Sequence, residues 1–209
     1  MGTRSLICVF YKGRFVVAQY TQFDGYPEGQ GLTILKFLVV PGNITRLTNG
    51  LENITLPSKE EIEEIYEKVN KLEREEELAK EKAGDFSFYS INKMKTLYPS
   101  LSRETGGDIL EVIASSTPEK KVPLSLFLEF ANDGLFCEWA YVVDLDNEVF
   151  EIFGGAQKKA DATNKRFNDV GKENDSVPAF VKSFSFNDLP AGEVEFMAAL
   201  KEKLGGDDY

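Results

Sequence analysis

SLICVFYKGRFVVAQYTQ, residues 5–22, decides the fold. In its first half Leu6, Cys8 and Phe10 fall on one alternating face, and Ile7, Val9 and Tyr11 on the other. Both faces are apolar, and such a strand is covered on both sides. Lys12-Gly13 is a short glycine-containing turn, so the segment reads as a β-hairpin. The return strand begins apolar and ends with Gln19, Tyr20, Thr21 and Gln22. It therefore leaves the core as it reaches FDGYPEGQG, residues 23–31, where Asp24-Gly25 is a turn signal and Pro27 biases Tyr26 away from helix.

A second hairpin lies far along the chain, in LFCEWAYVVDLDNEVFEIFGG, residues 135–155. Phe136 to Val143 is apolar except for Glu138. Asp146-Asn147 is the turn, and EVFEIF alternates. Two such hairpins predict one antiparallel sheet, and their apolar faces predict helices on both sides of it. Strict strand–helix–strand alternation is absent, which argues against a doubly wound fold. The expectation is a single α+β domain over residues 1–209.

Between and beyond the hairpins the pattern is helical. Gly31 opens a short helix, LTILKFLVV, that ends before Pro41-Gly42, and residues 42–57 read as loop. Ser58 and Glu61 form a capping box. They start a long helical insertion, 58–83, with a narrow apolar stripe of Ile62, Ile65, Val69 and Leu72. Ten Glu against six Lys and Arg in that insertion predict a solvated distal half, or a face for a protein partner. Ile91 to Leu97 and DILEVIAS, residues 108–115, suit short helices. LSLFLEF, residues 124–130, fits strand or helix. Residues 154–176 read as a polar surface loop or frayed helix. Phe180 to Phe186 suits a last strand, and Ala191 to Leu204 a last helix before a GGDDY tail.

Composition removes several function classes. The chain has 209 residues, 35 acidic against 24 basic, and a net charge of −11. Nucleic-acid binding usually needs a basic surface, so none is expected. No apolar run approaches a membrane span. With no His, mechanisms that need imidazole from this chain are excluded. Cys8 and Cys137 sit in apolar runs and read as buried thiols. No signal peptide is legible at the N-terminus, which predicts a cytoplasmic protein and makes the sequons at Asn43, Asn53 and Asn174 chance matches.

The polar candidates gather at the open end of the first hairpin. Arg4 begins its first strand, while Gln19, Tyr20 and Gln22 end its second. Asp24, Gly25, Tyr26 and Gln30 follow in the glycine-rich loop. A loop of this kind entering a helix exposes N–H groups to a phosphate or carboxylate, although it matches neither a P-loop nor a dinucleotide fingerprint. Guanidinium and amide groups suit a small polar or anionic ligand. The other reading is a tight turn in which Asp24 accepts N–H bonds, Tyr26 packs on the core and the polar groups satisfy one another.

A catalytic reading also exists: a His-independent hydrolase or transferase using Glu138 or Asp24, with or without a divalent cation. Glu138 lies within an apolar strand, and a buried glutamate is paired or protonated. Asp24, Asp144 and Asp146 are oxygen ligands of the right type for a cation, but their spacing matches no EF-hand loop, and Asp144 and Asp146 read as turn residues. Binding of a small polar ligand or a protein partner at the hairpin and glycine-rich end is the first expectation, and no metal or cofactor is assigned.

The strings GTRSL (2–6), AQYTQFDGYPEGQG (18–31) and CEWAYVVDLD (137–146) resemble the signature of a family of uncharacterised fungal, bacterial and phage proteins. SRETGGDIL, residues 102–110, is similar to a middle segment of that family. The matched pieces cover about a fifth of the chain, and the Glu-rich helix matches nothing in it. The resemblance implies a shared fold and carries no chemistry.

Overall fold

The computed structural model describes residues 2–84, 92–154, 166, 167, 169, 170 and 177–204. The first hairpin forms as its alternation requires. Strand β1, Ser5–Tyr11, pairs antiparallel with β2, Arg14–Thr21. Lys12 and Gly13 make the turn with φ of 53° and 74°, and the glycine takes this left-handed geometry without steric cost.

The glycine-rich loop runs through a short π-turn at Pro27–Gly31 into α1, Leu32–Leu38. The next segment corrects the loop expected over 42–57. It is helix α2, Asn43–Gly50, then one 3-10 turn and the two-residue strand β3, Ile54–Thr55. Asn, Thr and Gly make it a poor helix by propensity. Ile44, Leu47 and Leu51 nevertheless share one face, and Leu47 is fully buried.

Helix α3 spans Lys59–Ala83, with the Ser58/Glu61 capping box formed in both directions. Val69 is its buried anchor, packed with Met94, Leu101, Ile65 and Tyr98. Leu72, expected in the stripe, is exposed. The contact stripe beyond Val69 is polar instead: Glu76 pairs with Lys80 and with Lys93.

Two short helices follow: α4, Lys93–Leu97, and α5, Ile109–Ala114. Strand β4, Val122–Pro123, pairs with β3. Residues 124–130 resolve into neither long element: Leu128–Asn132 is a 3-10 helix. The second hairpin is β5, Trp139–Asp144, and β6, Val149–Gly154. It begins three residues later than expected, so Phe136, Cys137 and Glu138 precede the strand. Strand β7, Ala179–Ser185, and helix α6, Glu193–Leu204, complete the chain. The expectations for Ile91, for most of 154–176 and for the GGDDY tail lie outside the described residues.

Both hairpins join one five-stranded sheet, β2-β1-β5-β6-β7. The sheet is mostly antiparallel, but the joint between hairpins is parallel: Ser5 sits beside Trp139, and Phe10 beside Asp144. The intervening helices return the chain to the glycine-rich end before β5 begins, which a parallel pair demands. Ile7, Val9, Val17, Tyr141, Val143, Phe150 and Ile152 face a layer made by α1, α2, α5 and α6. Leu6, Cys8, Ala18, Ala140, Val142 and Phe153 face the other way. Among the described residues that second face is covered by the 3-10 helix and by Phe167 and Val177, so the expected α-helices on both sides are present on one. No described helix is long and apolar enough to cross a membrane.

Candidate functional site

Where β1 starts, β2 ends and β5 starts, the glycine-rich loop closes against the sheet. Gly25 N donates to the Thr3 carbonyl at 2.9 Å, and the buried Tyr141 hydroxyl donates to the Gly25 carbonyl at 2.8 Å. A Cβ at Gly25 would lie 2.8 Å from the Thr3 and Arg4 backbone, so the position needs glycine. The π-turn uses its own donors: Gln30 N bonds the Asp24 carbonyl at 2.9 Å, and Gly29 N bonds the Tyr26 carbonyl at 3.0 Å.

Each candidate from the sequence can now be placed. Gln19 is 2% exposed and donates to the Ser102 carbonyl at 3.0 Å on the helix side. Tyr20 points to the opposite face, as strand alternation requires, against Phe127 and Phe130. Its hydroxyl donates to Gln22 Oε1 at 2.9 Å, while Gln22 N donates to the Arg103 carbonyl. Gln30 bridges two loops, donating to the Phe23 carbonyl and accepting from Gly107 N. Arg4 stacks 4.2 Å over Phe136. Asp24 and Tyr26 face solvent, so Tyr26 does not pack on the core, and it is the Asp24 carbonyl rather than its carboxylate that accepts the N–H bond.

The candidates thus converge in the chain but split between two faces and solvent. Segments far apart in the chain do meet here, through Thr3–Gly25, Gln22–Arg103, Gln30–Gly107 and Tyr141–Gly25. At this end two buried atoms, Ser5 Oγ and Gln19 Oε1, have no hydrogen-bond partner among the described residues.

The catalytic candidates lose the environment they needed. Glu138 precedes its strand and is exposed, accepting one long bond of 3.4 Å from Arg4 N. Asp24 lies at the opposite end of the sheet from Asp144 and Asp146, so the three carboxylates do not assemble. Among the described residues no cluster of three potential metal ligands occurs. Cys8 and Cys137 are free, buried thiols in the same cluster. Burial pushes both up, Cys137 to about 12, which removes them as nucleophiles near neutral pH.

The second face of the sheet carries a different site. A cleft of about 1300 Å³ opens there, larger than most small-molecule pockets. Phe10, Phe15, Phe127, Phe130, Phe153 and Phe180 line it. The rings brace one another: Phe10 meets Phe15 edge-on at 5.2 Å, and Phe153 meets Phe180 at 5.5 Å. Behind them Phe167 is fully buried, stacked on Phe15 and edge-on to Phe153.

One wall of the cleft is charged. The alternation of β6 that sends Phe150 and Ile152 to the helices sends Glu151 and Phe153 to this face. Arg166 Nε donates to Glu151 Oε2 at 2.8 Å, and Nη2 reaches the same oxygen at 2.7 Å. Nη2 also donates to Asp144 Oδ2, and the guanidinium lies 4.6 Å over the Phe10 ring. Asp144, completely buried, accepts three more bonds from Asp146 N, Asn147 N and Asn147 Nδ2, each at 2.9 Å. It is therefore the turn residue the sequence indicated, with a second role toward Arg166.

The two carboxylates are pushed apart. Burial would raise Asp144, but its bonds from Asn147 and Arg166 outweigh that and hold it below its ordinary value. For Glu151 burial wins over the Arg166 interaction, and its carboxyl is raised. Sequence reading missed this wall. Glu151 is legible afterwards as the single charge inside an alternating apolar strand. Arg166 is not, because it sits in a polar stretch without periodicity. No protein-family model matches this chain, and neither a curated protein nor a solved structure does.

Proposed function

We propose that the chain is a binding module that takes a small molecule with an apolar body into the cleft between β1, β2, β6 and the 126–130 segment. The observation that supports it most is the six phenylalanines lining an open volume, Phe153 buried and the other five half-buried or exposed, where a folded chain ordinarily buries such rings against one another. Leu126, Phe127 and Phe180 remain at least 40% exposed at its mouth. Apolar walls supply affinity, and the charged wall supplies orientation. This reading keeps to the binding class but rests on the aromatic face rather than on the glycine-rich end, whose polar groups mostly bind each other.

The uncharged fluorescent probe N-phenylnaphthylamine tests this. Its emission should rise saturably with the wild-type chain. Phe127→Ser and Phe180→Ser, both at exposed positions, should weaken it by about tenfold or more, the loss of one well-packed ring. Equal binding by wild type and both variants would place the probe elsewhere and defeat the reading.

A further inference from the structure

We propose that the ligand of this cleft carries a protonated amine, received by Glu151 within the phenylalanine ring. The proposal rests on the reading of the cleft as a ligand site and goes on to name the ligand's polar end.

The charges around the cleft do not balance. Glu129, Glu151 and Asp169 line it with Arg14 and Arg166, and Asp144 stands behind Arg166. That makes four carboxylates against two guanidiniums among the described residues. The innermost group is the most telling. Arg166 neutralises one negative charge, yet it is shared between Asp144 and Glu151. A carboxylate left in excess in an apolar wall needs a proton or a cation.

The geometry shows where the cation would sit. Both contacts from Arg166 to Glu151 end on Oε2. Among the described residues no donor meets Oε1. Glu151 and Phe153 share the face, with Phe180 against Phe153 and Phe10 next to Phe15. Ring faces attract an ammonium and do nothing for a carboxylate. Among the described residues, a ligand anion would meet Glu129, Glu151 and Asp169 with only Arg14 outside the Asp144–Arg166–Glu151 group to oppose them. An amine on an apolar body fits both the rings and the unmatched charge.

The amine also competes with a proton. Burial raises Glu151, so in acid the carboxyl neutralises itself and loses its claim on the ammonium. Asp144, held low by Asn147 and Arg166, keeps its charge further into acid. Amine affinity should therefore weaken as pH falls through the Glu151 titration.

The experiment uses the full chain and three probes of one shape: phenethylamine, its alcohol counterpart 2-phenylethanol, and 3-phenylpropionate. Displacement of N-phenylnaphthylamine and calorimetry are read for wild type and Glu151→Gln. The amine should bind at least about tenfold tighter than the alcohol, the carboxylate weakest of all, and Glu151→Gln should erase the amine's advantage. If the alcohol or the carboxylate binds wild type as well as the amine, or none of the three displaces the fluorescent probe, the amine assignment fails while the cleft stands. If the fluorescent probe itself does not bind, the cleft reading fails instead. Should Glu151→Gln not fold, the wild-type pH dependence decides: amine affinity that does not weaken toward acid overturns the proposal.

Discussion

Gln30 Oε1 accepts the backbone N–H of Gly107 at 2.7 Å, joining two loops that lie 77 positions apart in the chain. The same side chain donates from Nε2 to the Phe23 carbonyl at 3.1 Å. Both halves of the amide are thus used inside the protein. Gln30→Ala leaves the half-buried Gly107 N–H without its partner, and should cost about 1–3 kcal/mol. Urea denaturation, with the midpoint falling at constant slope, checks this. A loss within about 0.5 kcal/mol, the ordinary range for a neutral surface change, would return Gln30 to the list of ligand groups.

Gly50 closes helix α2 against α5. A Cβ there would stand 2.0 Å from the Ile113 carbonyl oxygen and 2.7 Å from its carbon. The backbone at Gly50 is ordinary helix, φ −65° and ψ −24°. By propensity alone, alanine would therefore stabilise by about 0.5–1 kcal/mol. The clash is with backbone and cannot be relieved by a rotamer change, so overpacking of about 1–3 kcal/mol decides the sign. Gly50→Ala should lower the melting temperature; an increase would show that the two helices are free to separate.

That close contact also explains what the sequence could and could not show. Residues 43–50 read as loop because Asn, Thr and Gly dominate them, and the helix is imposed by burial of Leu47 against its neighbours. Both hairpins were legible because a strand's alternation is local. The parallel joint of Ser5 with Trp139 was not, since a strand's own pattern does not say which strand lies beside it. At the aromatic face the rings appear in the sequence only as scattered phenylalanines. Arg166 gains its meaning from Asp144, 22 residues earlier, and from Glu151. At the glycine-rich end the polar residues were visible, but Gln19 and Tyr20 are consecutive in a strand and must face opposite sides.

The long helix offers a contrast between neighbours on one stripe. Val69 is 1% exposed and Leu72 is 37% exposed. Val69→Ala removes two buried methyl groups from the cluster with Met94 and Leu101, at a cost of about 1–3 kcal/mol. Leu72→Ala should stay within about 0.5 kcal/mol. Denaturant titration of both variants separates them. Equal losses would mean that the apolar stripe continues to Leu72, as helical spacing alone suggests.

The Asp144–Arg166–Glu151 group should leave a two-sided imprint on stability against pH. Asp144 is held below its ordinary 3.8, so its contribution is present above that pH and is lost as pH falls through its folded value. Glu151 is raised above its ordinary 4.5, so its folded state holds the proton more tightly than the unfolded chain does. Its contribution is fully present below 4.5 and is lost as pH rises through its folded value. Glu151→Gln removes only the second effect. The stability of this variant minus that of wild type should therefore grow as pH rises above 4.5 and level off once Glu151 has ionised in the folded state. Urea titrations at intervals from pH 4 to pH 8 measure the difference. A difference that shrinks over that range would mean that Arg166 stabilises the Glu151 carboxylate more than burial penalises it, and that the wall carries no unmatched charge.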